Sequence, residues 1–167
     1  MGFKNYKQYL VLYNQYFDKI YQFVYYRTGR NKEIAEDLTS EIFLKAIEHF
    51  SEFNEEIGTF NSWIYRIAQN HITDFYRTNK TTVSLENAAD IPEHIKNIGE
   101  LMKIKEQYNV VMKAIDSLPD SYQEILILKY INQYSTDEIG KILNKSSGSI
   151  RVSLHRAIKA LIEKLNI

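Results

Sequence analysis

The chain has 167 residues, with 21 lysines and arginines balancing 21 aspartates and glutamates, 44% hydrophobic residues and no cysteine. This length and apolar content suit one core or two small ones, and the lack of cysteine excludes disulfide frameworks and thiolate metal sites, which fits a cytoplasmic setting. The stretch MGFKNYKQYL lacks the apolar run of a secretory signal, and nothing approaches the roughly twenty apolar residues of a membrane span, so none is expected.

Two prolines, six glycines and apolar residues at three- and four-residue spacing predict an all-α chain without a sheet. Helices are expected at residues 5–28, 32–50, 60–78, 100–116, 121–132, 136–143 and 147–165. Gly29 punctuates the end of the first, and Gly58 the loop before the third. Ser121 with Glu124, and Ser135 with Glu138, have capping-box spacing, and Pro119 stops any helix running in from Leu118. Periodicity fades from Asn79 to Gly99, around Pro92. The predicted architecture is therefore two small helical domains, a three-helix bundle at residues 1–79 and a four-helix unit at 100–167, joined by a linker at 80–99.

On a wheel, the second helix gathers Ala35, Leu38, Ile42, Ala46, Phe50 and Phe53 on one face. Asp37, Glu41 and Glu48 share another, beside Leu44. From Glu33 to Glu56 eight acidic residues are opposed only by Lys45. Such a surface repels phosphate, and is either a solvated face or a dock for a basic protein.

In the third helix Ile64, Ile67, Ala68, His71 and Phe75 form the stripe expected to be buried, with His71 read as a hydrogen-bonded core histidine. Trp63, Arg66, Asn70, Thr73 and Arg77 fall opposite. Arginines for phosphate, an amide and a hydroxyl for base edges and an aromatic for stacking suit nucleic acid; the alternative is that Trp63 completes the core and the arginines are merely solvated.

The C-terminal segment reads as a helix, a turn and a basic helix; from Lys141 onward, Lys141, Lys145, Arg151, Arg156, Lys159 and Lys164 stand against Glu163 alone. Gly140 is expected to permit a close helix crossing, Asn144 to take a positive φ in the turn, and Ser146 and Ser147 to cap the last helix. That helix should bury Ile150, Leu154, Ala157, Ile158, Leu161 and Leu165. It turns out Ser149, Val152, Arg156 and Lys159, flanked by Arg151, Ser153 and His155: a helix-turn-helix whose valine suits a thymine methyl in a major groove.

The stretches YNQYFDKIYQFVYYRTG, AEDLTSEIFLKAI, GTFNSWIYRIAQNHITDFYR and LPDSYQEILILKY running into STDEIGKILNKSSGSIRVSLHRAIKAL together resemble an extracytoplasmic-function sigma factor of bacterial RNA polymerase, regions two and four. The resemblance implies that Asp37, Ser40, Glu41 and Leu44, with Glu48 on the same acidic side, face the largest polymerase subunit. It places Phe60, Asn61, Trp63, Arg66, Asn70, Thr73 and Arg77 on or near the face that takes the opened minus-ten element. An extruded base would sit near the loop through Gly58. Ser147, Ser149, Arg151, Val152, Ser153, His155, Arg156 and Lys159 fall at the minus-thirty-five element. Ser40, Gln69, Lys145 and Ser153 depart from the family's usual glutamine, arginine, apolar and basic residues.

The implied partners are core RNA polymerase and promoter DNA, with room for an anti-sigma factor, and no cofactor, metal or small-molecule substrate. An enzyme is disfavoured, because His49, His71, His94 and His155 are scattered and neither HExxH nor a glycine-rich phosphate loop occurs. A self-standing helix-turn-helix regulator, binding palindromic duplex unaided, remains the alternative.

Overall fold

A computed structural model describes residues 3–78 and 98–166, with side chains from Tyr6 to Thr78 and from Lys103 to Asn166. The linker expected at 80–99 lies outside the described residues except for its last two, which are already helical. Among the described residues there are seven α-helices and no strand.

The first domain comprises α1 (Phe3–Arg27), α2 (Lys32–Glu48) and α3 (Phe60–Thr78). Gly29 at φ 69° and Arg30 at φ 62° turn the chain sharply after α1. Asn31 then caps α2, its side chain accepting from the Ile34 amide at 3.1 Å. The core joins Ile20, Phe23 and Val24 of α1 to Ala35, Leu38, Ile42, Phe43 and Ala46 of α2 and Ile64, Tyr65, Ala68 and Ile72 of α3. Aromatic edges lock it: Phe23 meets Tyr65 at 5.0 Å and 71°, and Tyr13 meets Phe43 at 4.8 Å and 66°. Buried Tyr9 donates its hydroxyl to the Phe43 carbonyl at 2.5 Å, and burial pushes its pKa up to about 12. After α2 a 3-10 turn (Phe50–Glu52) and a loop through Gly58 lead into α3, where the Thr59 hydroxyl accepts from the Ser62 amide.

The second domain comprises α4 (Ile98–Asp116), α5 (Asp120–Leu126), α6 (Thr136–Leu143) and α7 (Ser147–Leu165). The capping box expected at Ser121 does not form. Pro119 is the cap residue, its carbonyl accepting from the Tyr122 and Gln123 amides, so the helix starts too early for Ser121 to cap it. The helix expected to run on to 132 widens after Leu126 into a π-helical turn, Ile127–Ile131, and ends at Gln133 with φ 60°. The Ser135 and Glu138 capping box does form, and Asn144 takes φ 53° as expected.

Gly140 is needed for a reason other than the expected helix crossing: a Cβ there would meet the Lys145 carbonyl oxygen, in the turn itself, at 2.7 Å. Ser146 caps α7, accepting from the Ser149 amide at 3.2 Å. Ser147 does not share that task; its hydroxyl donates to Asp137 and ties the turn to α6.

The two domains pack together within one apolar cluster, and polar contacts cross the seam. Arg30 bonds Asp116 in bidentate fashion at 3.0 and 2.7 Å, with its side chain 7% exposed. Tyr134 donates to Asn61 at 3.0 Å while its ring stands edge-on to Tyr65, and Lys19 Nζ lies 4.3 Å from that ring. Asn132 donates to the Lys19 carbonyl, Tyr108 to the Tyr26 hydroxyl, and Gln69 to Glu124.

Candidate protein and nucleic-acid interfaces

The acidic face of α2 is open to solvent. Asp37, Ser40, Glu41, Leu44 and Glu48 are all exposed, with Leu44 59% accessible. This follows from the helical period, since Leu38, Ile42 and Ala46 occupy the buried side and leave positions 37, 41, 44 and 48 outside. Ser40 turns its hydroxyl back to the Glu36 carbonyl at 2.8 Å. Glu41 meets His71 Nε2 across the α2–α3 seam at 2.5 Å, and Lys45 Nζ meets His71 Nδ1 at 2.9 Å. His71 is thus hydrogen-bonded as expected, but at the surface rim rather than deep in the core.

On α3 the candidate residues divide. Arg66, Asn70, Thr73 and Arg77 are exposed, Arg77 pairing with Asp74 at 3.0 Å. Trp63 is half-buried against Phe50, Phe53 and Phe60, with centroids 5.3–6.4 Å away. Phe60 and Asn61, expected on the DNA face, are buried in this conformation: Phe60 completes that aromatic cluster, and Asn61 accepts from Tyr134 of the other domain. Beside the exposed half lies a shallow cleft of about 110 Å³, lined by Phe53, Asn54, Ile57, Gly58, Trp63 and Arg66 among others. Ile57 at its edge is 86% exposed.

On α7 the exposed residues are Ser149, Arg151, Val152, His155, Arg156 and Lys159; Ser153 is half-buried, as is Ser147. No cation of this helix is in an ion pair among the described residues. Ile150 and Ala157 are buried, and Leu154, Ile158 and Leu161 pack against the core, which fixes the opposite face outward.

Sequence reasoning missed the partners that cross elements. Nothing local announces that Tyr134 meets Asn61, or that His71 stands between Glu41 and Lys45, because each pairing joins separate helices.

A basic helix thus follows a tight turn on a chain that elsewhere exposes an acidic helix, the layout of a helix-turn-helix protein. Residues 12–82 match the family model for Sigma-70 region 2, and residues 108–161 that for Sigma-70, region 4. The ECF RNA polymerase sigma factor SigW of Bacillus subtilis (strain 168) is 32% identical over 160 residues, 90% of this chain and 84% of SigW. BldN of Streptomyces coelicolor, another ECF RNA polymerase sigma factor, is 28% identical over 156 residues; the match spans 92% of this chain but only 59% of BldN. The sigma factor RpoE in complex with the anti-sigma factor NepR from Bartonella quintana shares the fold with a TM-score of 0.66 and 21% identity, over 98% of both chains. CnrH in complex with the cytosolic domain of CnrY does so with a TM-score of 0.67 and 18% identity, over 96% of this chain and 88% of CnrH. The chain belongs to the sigma-70 family and is an ECF-type sigma factor.

Proposed function

We propose that this sigma factor directs RNA polymerase to promoters by dividing its surfaces according to electrostatic sign. The α2 face of Asp37, Ser40, Glu41, Leu44 and Glu48 docks core polymerase, its carboxylates meeting basic side chains around the Leu44 anchor. Arg66, Asn70, Thr73 and Arg77 hold the opened minus-ten strand, and the cleft between Trp63 and Gly58 takes an unstacked base. Phe60 and Asn61 join them once Tyr134 moves away. Arg151, Val152, His155, Arg156 and Lys159 read the minus-thirty-five element, with Ser149 near its backbone, whereas Ser147 and Ser153 support the helix more than they contact DNA.

The observation carrying this reading is that solvent-facing carboxylates on α2, and cations on α7 that make no ion pair among the described residues, occupy different helices of one near-neutral chain. The protein is a regulatory subunit acting in the cytoplasm without reaction chemistry of its own. Because RpoE was solved with the anti-sigma factor NepR, and CnrH with the cytosolic domain of CnrY, an anti-sigma factor is a further proposed partner.

Reconstituted transcription with core polymerase and a promoter library tests the reading. The joint substitution Asp37→Lys and Glu41→Lys should abolish co-purification with polymerase, while Arg156→Ala should weaken use of the upstream element and leave polymerase binding intact. A chain that fails to redirect start sites, or charge-reversed α2 that binds polymerase undiminished, would overturn it.

A further inference from the structure

Helix α3 carries a residue that belongs neither to its DNA-facing side nor fully to its core side. The His71 side chain is 12% exposed and reaches across to α2, whose Glu41 is 59% exposed. An ammonium group has no acceptor, so at the 2.9 Å contact with Lys45 the imidazole Nδ1 must offer its lone pair. The ring proton then sits on Nε2 and is donated to Glu41 Oε2, at 2.5 Å.

Glu41 and Lys45 stand four residues apart on α2 with the acid first, the arrangement in which such side chains ordinarily pair with each other. Here they do not: among the described residues no ion pair joins them, and the imidazole occupies the space between. Lys45 is the only cation from Glu33 to Glu56. Left to itself it would fold onto Glu41 and neutralise the middle of the acidic face.

We infer that His71 is a positioning residue for polymerase docking: it holds Lys45 off Glu41 and fixes the Glu41 carboxylate with one oxygen engaged and Oε1 left for a cation of the partner. This rests on the docking role proposed for α2. Fixing a flexible carboxylate before association avoids part of the ordering cost at an interface, and removing the competing lysine preserves its charge. Together these correspond to a factor of about two to ten in the dissociation constant. Because His71 directly follows Asn70 and lies two positions before Thr73, the same bracket also ties the DNA-facing helix to the docking helix.

The test is a double-mutant cycle on the full chain, titrated against core polymerase, with far-UV circular dichroism and Trp63 fluorescence as checks on folding. His71→Leu should raise the dissociation constant about two- to tenfold. His71→Gln, whose amide can accept from Lys45 and donate to Glu41, should restore most of the loss. Lys45→Met in the His71→Leu background should also restore binding, because the neutralising group is gone. With Glu41→Gln already present, His71→Leu should add nothing. Additive losses, or full affinity in His71→Leu while Glu41→Gln binds weakly, overturn the inference and leave α2 as the dock. Undiminished binding by Glu41→Gln alone also overturns the inference, whereas undiminished binding by the joint Asp37→Lys and Glu41→Lys variant overturns the docking role as well, so the two failures are distinguishable.

Discussion

Replacing Asp116 with alanine removes the partner of a guanidinium that cannot shed its charge. Burial alone would lower the Arg30 pKa, but the Asp116 hydrogen bonds and charge outweigh it and the net shift is upward. Arginine stays protonated throughout the accessible range even without that help. The variant therefore leaves a positive group with a 7% exposed side chain, stripped of two bonds at 3.0 and 2.7 Å. Breaking a buried pair in this way costs about 3–5 kcal/mol, and the 19% exposure of Asp116 places the loss near the lower end, about 3 kcal/mol. The chain has one relief, which is for the second domain to swing off and let water reach Arg30. Trp63, the only tryptophan, lies in the first domain and reports its unfolding in urea, whereas circular dichroism follows all helices. The expected result is either a loss of that size in both signals or an expanded particle in small-angle scattering with the first domain intact. A variant that changes stability by less than about 1 kcal/mol and stays compact would refute the argument.

Four further outcomes follow from single features. Thr39 is buried with no partner for its hydroxyl among the described residues, so Thr39→Val should stabilise the first domain by about 1 kcal/mol in thermal melts; a loss would mean the hydroxyl is satisfied. Gly140→Ala, which would gain about 1 kcal/mol in an open helix, should instead cost about 1–3 kcal/mol because its Cβ meets the Lys145 carbonyl, and a rise in melting temperature would contradict this. Hydrogen bonds from the Ser135 hydroxyl and amide hold the Glu138 pKa below its ordinary 4.5. Its share of stability is therefore present above pH 4.5 and lost as pH falls through the lower folded value, so the stability gap between the native chain and Glu138→Ala should close on acidification; a gap that widens would reverse the sign. Duplex binding by the free chain should be weak: neutralisation of at most one phosphate by each of the outward cations Arg151, Arg156 and Lys159 corresponds to a log–log salt slope no steeper than about −3, and a slope beyond about −6 would require cations elsewhere.

The local part of this structure was legible because short-range chemistry decides it. Ser135 with Glu138, Asn144 and Ser146 cap or end helices through atoms within a few residues, and the helices form where those signals stand. Ser121 misled because the same spacing lies downstream of Pro119, which starts the helix first. The wheel of α3 missed Tyr65 and Ile72, and the resemblance put on or near the DNA face two residues, Phe60 and Asn61, that are buried here, for one physical reason. That helix packs against α1 and α2 on one side and α6 on another, so its buried arc is wider than a single amphipathic stripe. The open faces of α2 and α7 were legible because each helix buries a stripe and leaves its charged side to water. How Glu41 is held there was not, since its bracket comes from α3, thirty residues on.

The free chain thus presents its candidate surfaces in two grades of readiness. The α2 face, the exposed half of α3 and the outer side of α7 can be met by a partner without rearrangement. Phe60 and Asn61 cannot, since Asn61 is engaged by Tyr134 and the Tyr134 ring packs edge-on against Tyr65 at 5.8 Å. One net hydrogen bond is worth about 0.5–1.5 kcal/mol and one aromatic pair a similar amount, so releasing Asn61 costs about 1–3 kcal/mol before other contacts are counted. Docking at α2 meets both states of Asn61 alike and so cannot by itself drive that release; under the proposed division of surfaces, strand capture by Asn61 requires a partner that binds the released state better, whereas contact by Arg66, Asn70 and Arg77 does not.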